Sequence, residues 1–182
     1  GSIGPLIDSL LSQTKKPDEI VIVDGGSRDK TAEIIRHHQK KDKKIKLLVE
    51  KGSVAHGRNV SIDLAKNPII ALTDAGCVAK SDWLERITEP FKHKEVELVA
   101  GFYHMFAKNA MQKAINVFHG IPPERFNPVS FLPSARSVAF RKEIWNKIGG
   151  FNEKLNKAGE DTLFFYEAVK LGTTIARVKD AI

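Results

Sequence analysis

Two carboxylates stand where a chain can do chemistry. Asp24 closes the apolar run "IVIV" and is followed by Gly25, Gly26 and Ser27; Asp74 closes "IIALT" and is followed by Ala75 and Gly76. A strand that ends on a lone carboxylate, with residues too small to cover it, leaves hard oxygen donors at its carboxyl end. Such donors suit Mg²⁺ or Mn²⁺ bridging the phosphates of a nucleotide. Each Asp reads equally well as the cap of the turn that follows it. A third acidic site, Glu160 with Asp161, opens a helical window after Gly159, where first-turn carboxylates complement the helix dipole.

The elements that must position these groups alternate between short β-branched runs and amphipathic windows, the pattern of a layered α/β domain. "PLIDSLLSQ" puts Leu6, Ile7, Leu10 and Leu11 on one helical stripe. A strand over Ile20–Val23, a helix over "RDKTAEIIRHHQKK", a strand "IKLLVE", a helix "VAHGRNVSIDLAKN" and a strand "PIIALTD" follow. "SDWLERITEPFKHK" reads as a further helix capped by Ser81 or Asp82, and "VELVAGFYHM" as a fourth strand. The expectation is a βαβαβαβ series with a ligand crevice beyond the carboxyl ends of its strands.

Composition bounds the rest. With 182 residues, 42% of them hydrophobic, the chain is sized for one core. The 29 Lys and Arg exceed the 22 Asp and Glu by seven charges, which favours an anionic partner. Aromatic and basic residues do not interleave as a nucleic-acid-binding sheet requires. The single cysteine, Cys77, excludes an internal disulfide and a cysteine-based zinc cluster. No secretory apolar segment opens the sequence and no run of eighteen apolar residues spans a bilayer, so the reading is of a soluble domain in a reducing compartment. His104 and His119 stand too isolated to suggest a metal, and His56 has no identifiable partner.

Three blocks resemble family 2 glycosyltransferases. "PDEIVIVDGGSRDKT" is similar to the family's nucleotide-binding segment, matching at Asp24, Gly25, Gly26, Ser27, Asp29 and Thr31. "GSVAHGRNVSIDLAKNPIIALTDAGCVAKSDWLERI" resembles the segment where a Gly-x-x-x-[Ala/Gly]-Arg-Asn helix leads to the strand carrying an Asp-x-Asp motif. "SVAFRKEIWNKIGGFNEKLNKAGEDTLFFYEAVKLG" resembles its Gly-Gly-Phe and Glu-Asp region. In order, they cover most of the chain from Pro17 to Gly172.

The resemblance implies a GT-A-type, Rossmann-like three-layer α/β domain with a mostly parallel sheet flanked by helices. It implies transfer of a sugar from a nucleotide-diphosphate sugar to an acceptor hydroxyl by an inverting single displacement. The alternative is a non-catalytic nucleotide-sugar-binding or interaction domain of the same fold. One domain is expected over residues 1–182, with a nucleotide-binding half over about 1–103 and an acceptor and catalytic half over about 104–182. The family's first strand, apolar and central in the sheet, has no counterpart before "GSIGPLIDSLL". The expectation is therefore a domain truncated at its N-terminus, with its C-terminal boundary open.

Residue by residue, the resemblance makes Asp161 the general base on the acceptor hydroxyl. Asp24, Gly25, Ser27, Arg58 and Asp74 bind the nucleotide sugar, and Asp74 also holds Mg²⁺ or Mn²⁺. Gly76 replaces the motif's second Asp, so metal binding is expected to be weak. Glu160 falls on the acceptor side, and Trp83, like Trp145, reads as core or as acceptor-pocket wall. "FHGIPPERFNPVSFLPSARS" suggests a mobile acceptor-side loop. The implied partners are a nucleotide-sugar donor, UDP-sugars ahead of others, and a saccharide or lipid-linked acceptor, with no nucleic acid. The implied location is the cytoplasm or the cytoplasmic face of a membrane; attachment through parts outside this chain and self-association stay open.

Overall fold

The computed structural model describes residues 3–107, 109–155 and 158–182. The predicted stripe of Leu6 and Ile7 becomes helix α1 (Ile3–Leu11), which buries Ile3, Leu6 and Ile7. There follow β1 (Ile20–Asp24), α2 (Thr31–Lys41), β2 (Ile45–Val49), α3 (Val54–Leu64), β3 (Ile69–Leu72), α4 (Trp83–Thr88) and β4 (Leu98–Gly101). The second half supplies α5 (Ala110–His119), β5 (Val138–Arg141), α6 (Lys142–Ile148), α7 (Glu160–Lys170) and β6 (Ile175–Val178). The side chain of His119 lies outside the described residues.

The helix expected over "SDWLERITEPFKHK" is shorter than predicted. It continues past Thr88 only as a 3₁₀ turn, Glu89–Lys92, because Pro90 has no N–H to extend the α-helical ladder. Asp82 occupies the cap position without capping; its carboxylate takes the Arg86 guanidinium at 2.5 Å.

The expected unbroken parallel series also needs correction. β1 and β2 pair in parallel as a two-stranded sheet, and a separate four-stranded sheet runs in the order β3-β5-β4-β6. β5 is antiparallel to both β3 and β4, while β6 is parallel to β4, so one strand of this sheet opposes the other three. The cause is β5's sequence: Val138, Ala139 and Phe140 are all buried, so this short apolar segment takes the middle of the sheet. Its alternation builds the layers. Val138 and Phe140 pack with Ile144 and Phe164 of α6 and α7, and Ala139 packs with Trp83 and Ile87 of α4 on the other face.

The expected acceptor-side loop is folded over Pro123–Arg125 as a 3₁₀ turn and is pinned by aromatics. Phe126 and Phe131 pack on buried Phe102, with ring centroids 5.8 and 5.7 Å away. Such pairs add about 0.5–1.5 kcal/mol each beyond their buried area.

Between β1 and β3 lies a groove of about 1030 Å³. Ile20 N–H donates to Lys44 C=O at 2.9 Å and Glu50 N–H to Asp24 C=O at 3.0 Å, so Ile20, Ile22 and Asp24 direct their backbone groups toward β2. Val21 and Val23 consequently direct theirs into the groove. On the other side, Lys142 N–H donates to Pro68 C=O at 2.8 Å, which turns Ile70 and Leu72 to β5 and leaves Ile69 and Ala71 facing the groove. Among the described residues, no strand lies on the groove side to take the backbone groups of these four.

Glu19 staples the two sheets at the groove's far end. One carboxylate oxygen accepts from the backbone N–H of Lys66 (2.6 Å) and Asn67 (3.2 Å) and from the Asn67 side chain (2.8 Å); the other pairs with Lys46. Burial works against the charge, but Lys46, Lys66 and Asn67 outweigh it and hold the carboxyl down at about 2. Because an unfolded Glu titrates at about 4.3, the stabilisation is complete above that pH and is lost as acid carries the solution down toward 2. Glu19→Gln is expected to cost about 2 kcal/mol at pH 7, the scale of hydrogen bonds to a charged group. Unfolding midpoints of variant and parent, measured from pH 7 to pH 2, should converge with acid; a gap independent of pH would contradict this.

Candidate functional site

The carboxyl ends of β1 and β3 bring the sequence-predicted residues together at one end of the groove, lined there by Gly25, Gly52, Arg58 and Asp74. Asp24, last in β1, is 5% exposed. Its Oδ1 accepts from the Ser27 N–H (3.0 Å) and hydroxyl (2.6 Å), which wraps the glycine turn back on the strand end. Its Oδ2 is buried with no hydrogen-bond partner among the described residues. An orphaned buried carboxylate oxygen costs on the order of 1–3 kcal/mol, a cost that a ligand's N–H or O–H would remove.

Arg58, on α3, joins three elements. Its guanidinium donates to Asp74 Oδ1 at 2.7 Å, beyond β3, and to Glu160 Oε1 at 2.5 Å, in the first turn of α7. It also lies 5.6 Å from the centroid of the Phe151 ring. Burial works against this charge, but Asp74 and Glu160 outweigh it and raise Arg58 above the ordinary guanidinium value. Glu160 is 8% exposed and its carboxylate pairs with Arg58, so it joins the strand-end cluster.

Gly76 has a backbone reason for replacing a carboxylate. Its φ is +104°, a conformation that side-chain-bearing residues rarely adopt, in a turn closed by Cys77 N–H donating to Asp74 C=O at 3.1 Å. Asp74 is thus the strand end's single acidic donor. Among the described residues, no three His, Cys, Asp or Glu form a group that could hold a metal.

Asp161, second in α7, accepts from the Ala135 N–H at 3.2 Å through Oδ2 and from the Thr162 N–H at 2.8 Å through Oδ1. These bonds anchor it to the segment leading into β5. Trp83 takes the core alternative: at 3% exposure it is packed near Ile87 and Val99, its indole N–H donating to Ser137 Oγ at 2.9 Å. An acceptor cannot reach a side chain buried in this way.

Residues that sequence reasoning missed lock α3 to the segment before α7. Asn59 uses its whole amide: it donates to Phe151 C=O (2.9 Å) and Glu153 (2.8 Å), and accepts from the Phe151 N–H (2.8 Å) and the Trp145 indole (3.1 Å). A Cβ on Gly150 would fall 2.9 Å from Asn59 Oδ1, and this position's φ is +81°, which explains the Gly-Gly-Phe spelling. His56 sits between Glu50 (2.6 Å) and Glu153 (3.0 Å), which raise its pKa against the effect of burial. The available signal was the Arg-Asn pair, whose second member points across the site. Among the described residues, no helix is long and apolar enough to cross a membrane.

Comparison with known proteins places this geometry. The sequence profile of glycosyl transferase family 2 matches residues 1–149. The chain is 28% identical to glycosyltransferase GlyG of Streptococcus pneumoniae serotype 4, over 78% of this chain and 53% of that protein. It is 27% identical to glycosyltransferase AglE of Haloferax volcanii, covering 100% of this chain and 61% of that one. It spans between half and two thirds of the length of these two curated relatives. In fold it is similar to S. aureus TarS in complex with UDP-GlcNAc, with a TM-score of 0.77 and 21% identity over 98% of this chain and 52% of that one. It is also similar to the mannosyltransferase PcManGT from Pyrobaculum calidifontis in complex with GDP-Man and Mn²⁺, at a TM-score of 0.74 and 21% identity over 98% and 51%. The expected GT-A-type architecture is the fold these structures share with it.

Proposed function

The chain belongs to glycosyl transferase family 2, and we propose that it moves a sugar from a nucleotide-diphosphate sugar to an acceptor hydroxyl by a single inverting displacement. The observation that carries this reading is the strand-end cluster, where Asp24 keeps a buried oxygen with no donor among the described residues and Arg58 and Asp74 stand at the neighbouring strand end. Asp24 accepts from an N–H of the base or a ribose hydroxyl, and the Gly25 to Ser27 turn lies against the nucleotide. Arg58 directs its fork at phosphate oxygen.

Asp74 would be the protein ligand to a divalent cation, Mg²⁺ or Mn²⁺, arriving with the diphosphate, although Gly76 in place of a second Asp and the Arg58 pairing make this a poor donor set for such an ion. When bound, the cation neutralises charge on the leaving diphosphate. Asp161 takes the proton from the acceptor hydroxyl. That oxygen forms its bond to the anomeric carbon, and the electron pair of the breaking carbon–oxygen bond leaves with the nucleoside diphosphate.

UDP-sugars are the first donor class to test, since TarS forms complexes with UDP and UDP-GlcNAc; GDP-Man in PcManGT is the second. The acceptor is a saccharide or a lipid-linked one. The reaction takes place in the cytoplasm or at the cytoplasmic face of a membrane. Residues 1–182 act as one catalytic domain, residues 1–103 providing the nucleotide end and 104–182 the acceptor end. The second reading, a nucleotide-binding domain without turnover, draws on Gly76 and on Asp74 being already neutralised by Arg58.

Thermal unfolding with UDP, GDP and TDP, each with and without Mn²⁺, tests the binding. A ligand at one hundred times its Kd adds about 2.7 kcal/mol, which raises the midpoint by roughly 5–10 °C in a domain of this size. No shift with any nucleotide would refute both readings. A shift without donor hydrolysis or transfer would favour the second.

A further inference from the structure

We infer that His56 is a positioning residue: as an imidazolium it clamps the loop behind the nucleotide end of the groove to the segment before α7, and losing its proton weakens nucleotide binding. The inference rests on the reading above and adds a pH dependence to it. His56, in the first turn of α3, has a carboxylate on each ring nitrogen, Glu50 at 2.6 Å from Nε2 and Glu153 at 3.0 Å from Nδ1. An ionised carboxylate only accepts, and a neutral imidazole carries a single N–H. Both contacts together therefore take the doubly protonated ring. Glu50 and then Glu153 raise its pKa against the effect of burial. The cations nearest in sequence are Lys51, Lys154 and Arg58, the last held by Asp74 and Glu160.

Both clamped segments border residues assigned to the nucleotide. Glu50 opens the loop between β2 and α3, and that loop backs the glycine turn: a Cβ on Gly25 would fall 3.3 Å from Gly52 C=O. The imidazole packs on the same loop so closely that a Cβ on Gly52 would lie 2.3 Å from His56 Cδ2. Ser53 Oγ, also in the loop, accepts the His56 N–H at 3.2 Å and caps the helix that carries Arg58. On the other side Glu153 follows Phe151, whose ring lies 5.6 Å from the Arg58 guanidinium. When the ring gives its proton to solvent, one nitrogen turns a lone pair to a carboxylate and that contact becomes repulsive. Because the pKa is raised, the clamp is complete below the ordinary histidine value of about 6.5 and is lost as pH rises through the raised one.

Glu153→Gln separates this proton from mere packing. The glutamine oxygen can keep the Asn59 N–H that Glu153 now accepts at 2.8 Å. Its amide N–H can then donate to a neutral His56 Nδ1 while Nε2–H donates to Glu50, so the clamp closes without the proton. The test pairs an NMR titration of the His56 ring with calorimetric titration of UDP, without added metal, from about pH 6 to pH 9 in parent and variant. In the parent, UDP Kd should rise about fivefold as the ring titrates, the low end of site coupling. In Glu153→Gln the ring should titrate at lower pH and that rise should disappear; proton changes of UDP itself are common to both proteins. A parent Kd that stays level through the ring's transition overturns the inference and leaves the nucleotide assignment standing. So does a rise of the same size in Glu153→Gln, which would mean a structural role alone. A parent that binds neither UDP nor GDP fails the functional reading, and the inference with it. If Glu153→Gln does not fold, Glu50→Gln reads the same link from the other nitrogen, and an unchanged rise there also overturns it.

Discussion

Asp161→Asn should lower sugar transfer by about 10²–10⁴-fold, the range for loss of a general base. The fold has little reason to change. The native carboxylate accepts one backbone N–H on each oxygen, from Ala135 and Thr162. An asparagine keeps one carbonyl oxygen for one of these bonds, so the stability cost should stay near 1 kcal/mol. Asn cannot take up the acceptor's proton, and the defect should therefore lie in kcat while nucleotide Kd is preserved. Initial rates at saturating donor, with UDP titrations alongside, separate the two. A variant that retains more than about a tenth of parental kcat would remove Asp161 from the role of base.

Arg58→Met should be the most destabilising single change at the site. It leaves Glu160, 10% exposed, and Asp74 facing each other's charge with the guanidinium gone. Breaking a buried pair from one side costs about 3–5 kcal/mol; with Asp74 partly wet, the lower figure applies. That corresponds to a fall of roughly 6–12 °C in the unfolding midpoint. Adding Glu160→Gln should recover part of the loss, because the orphaned carboxylate is then gone. A double variant whose loss equals the sum of the single losses would mean that Arg58 and Glu160 are not energetically coupled.

Much of the site was legible because its residues lie at element ends. Asp24 and Asp74 each close an apolar run, and the short apolar strands with the helical stripe of α1 needed only local pattern to be recognised. The pairing of β5 between β3 and β4 was not legible. Four residues with three buried give no period to read, and its partners lie far off in the chain. Distance also hid the locks: Glu160 is 102 positions from Arg58, and Glu153 is 97 from His56. Trp83 stayed open between core and pocket wall for a different reason, since an aromatic near a motif carries no sign of whether it faces the site or the core.

The groove between β1 and β3 bears on how the domain loses its structure. Ile7, Ile35 and Ile45 form a core of their own under β1 and β2, while Phe140 and Phe164 belong to the core of the four-stranded sheet. Among the described residues, no ladder of backbone bonds crosses between the two sheets; the span is carried by α3, packed on β1, by the Glu19 staple, and by Ser9, Gln13 and Thr14, which bond to Ala79, Lys80, Ser81 and Leu84. Such a chain is expected to open as two units of unequal stability, a difference that hydrogen exchange would read. When the smaller unit opens, it takes Asp24 away from Arg58 and Asp74, so the capacity to hold a nucleotide is lost before most of the helical content.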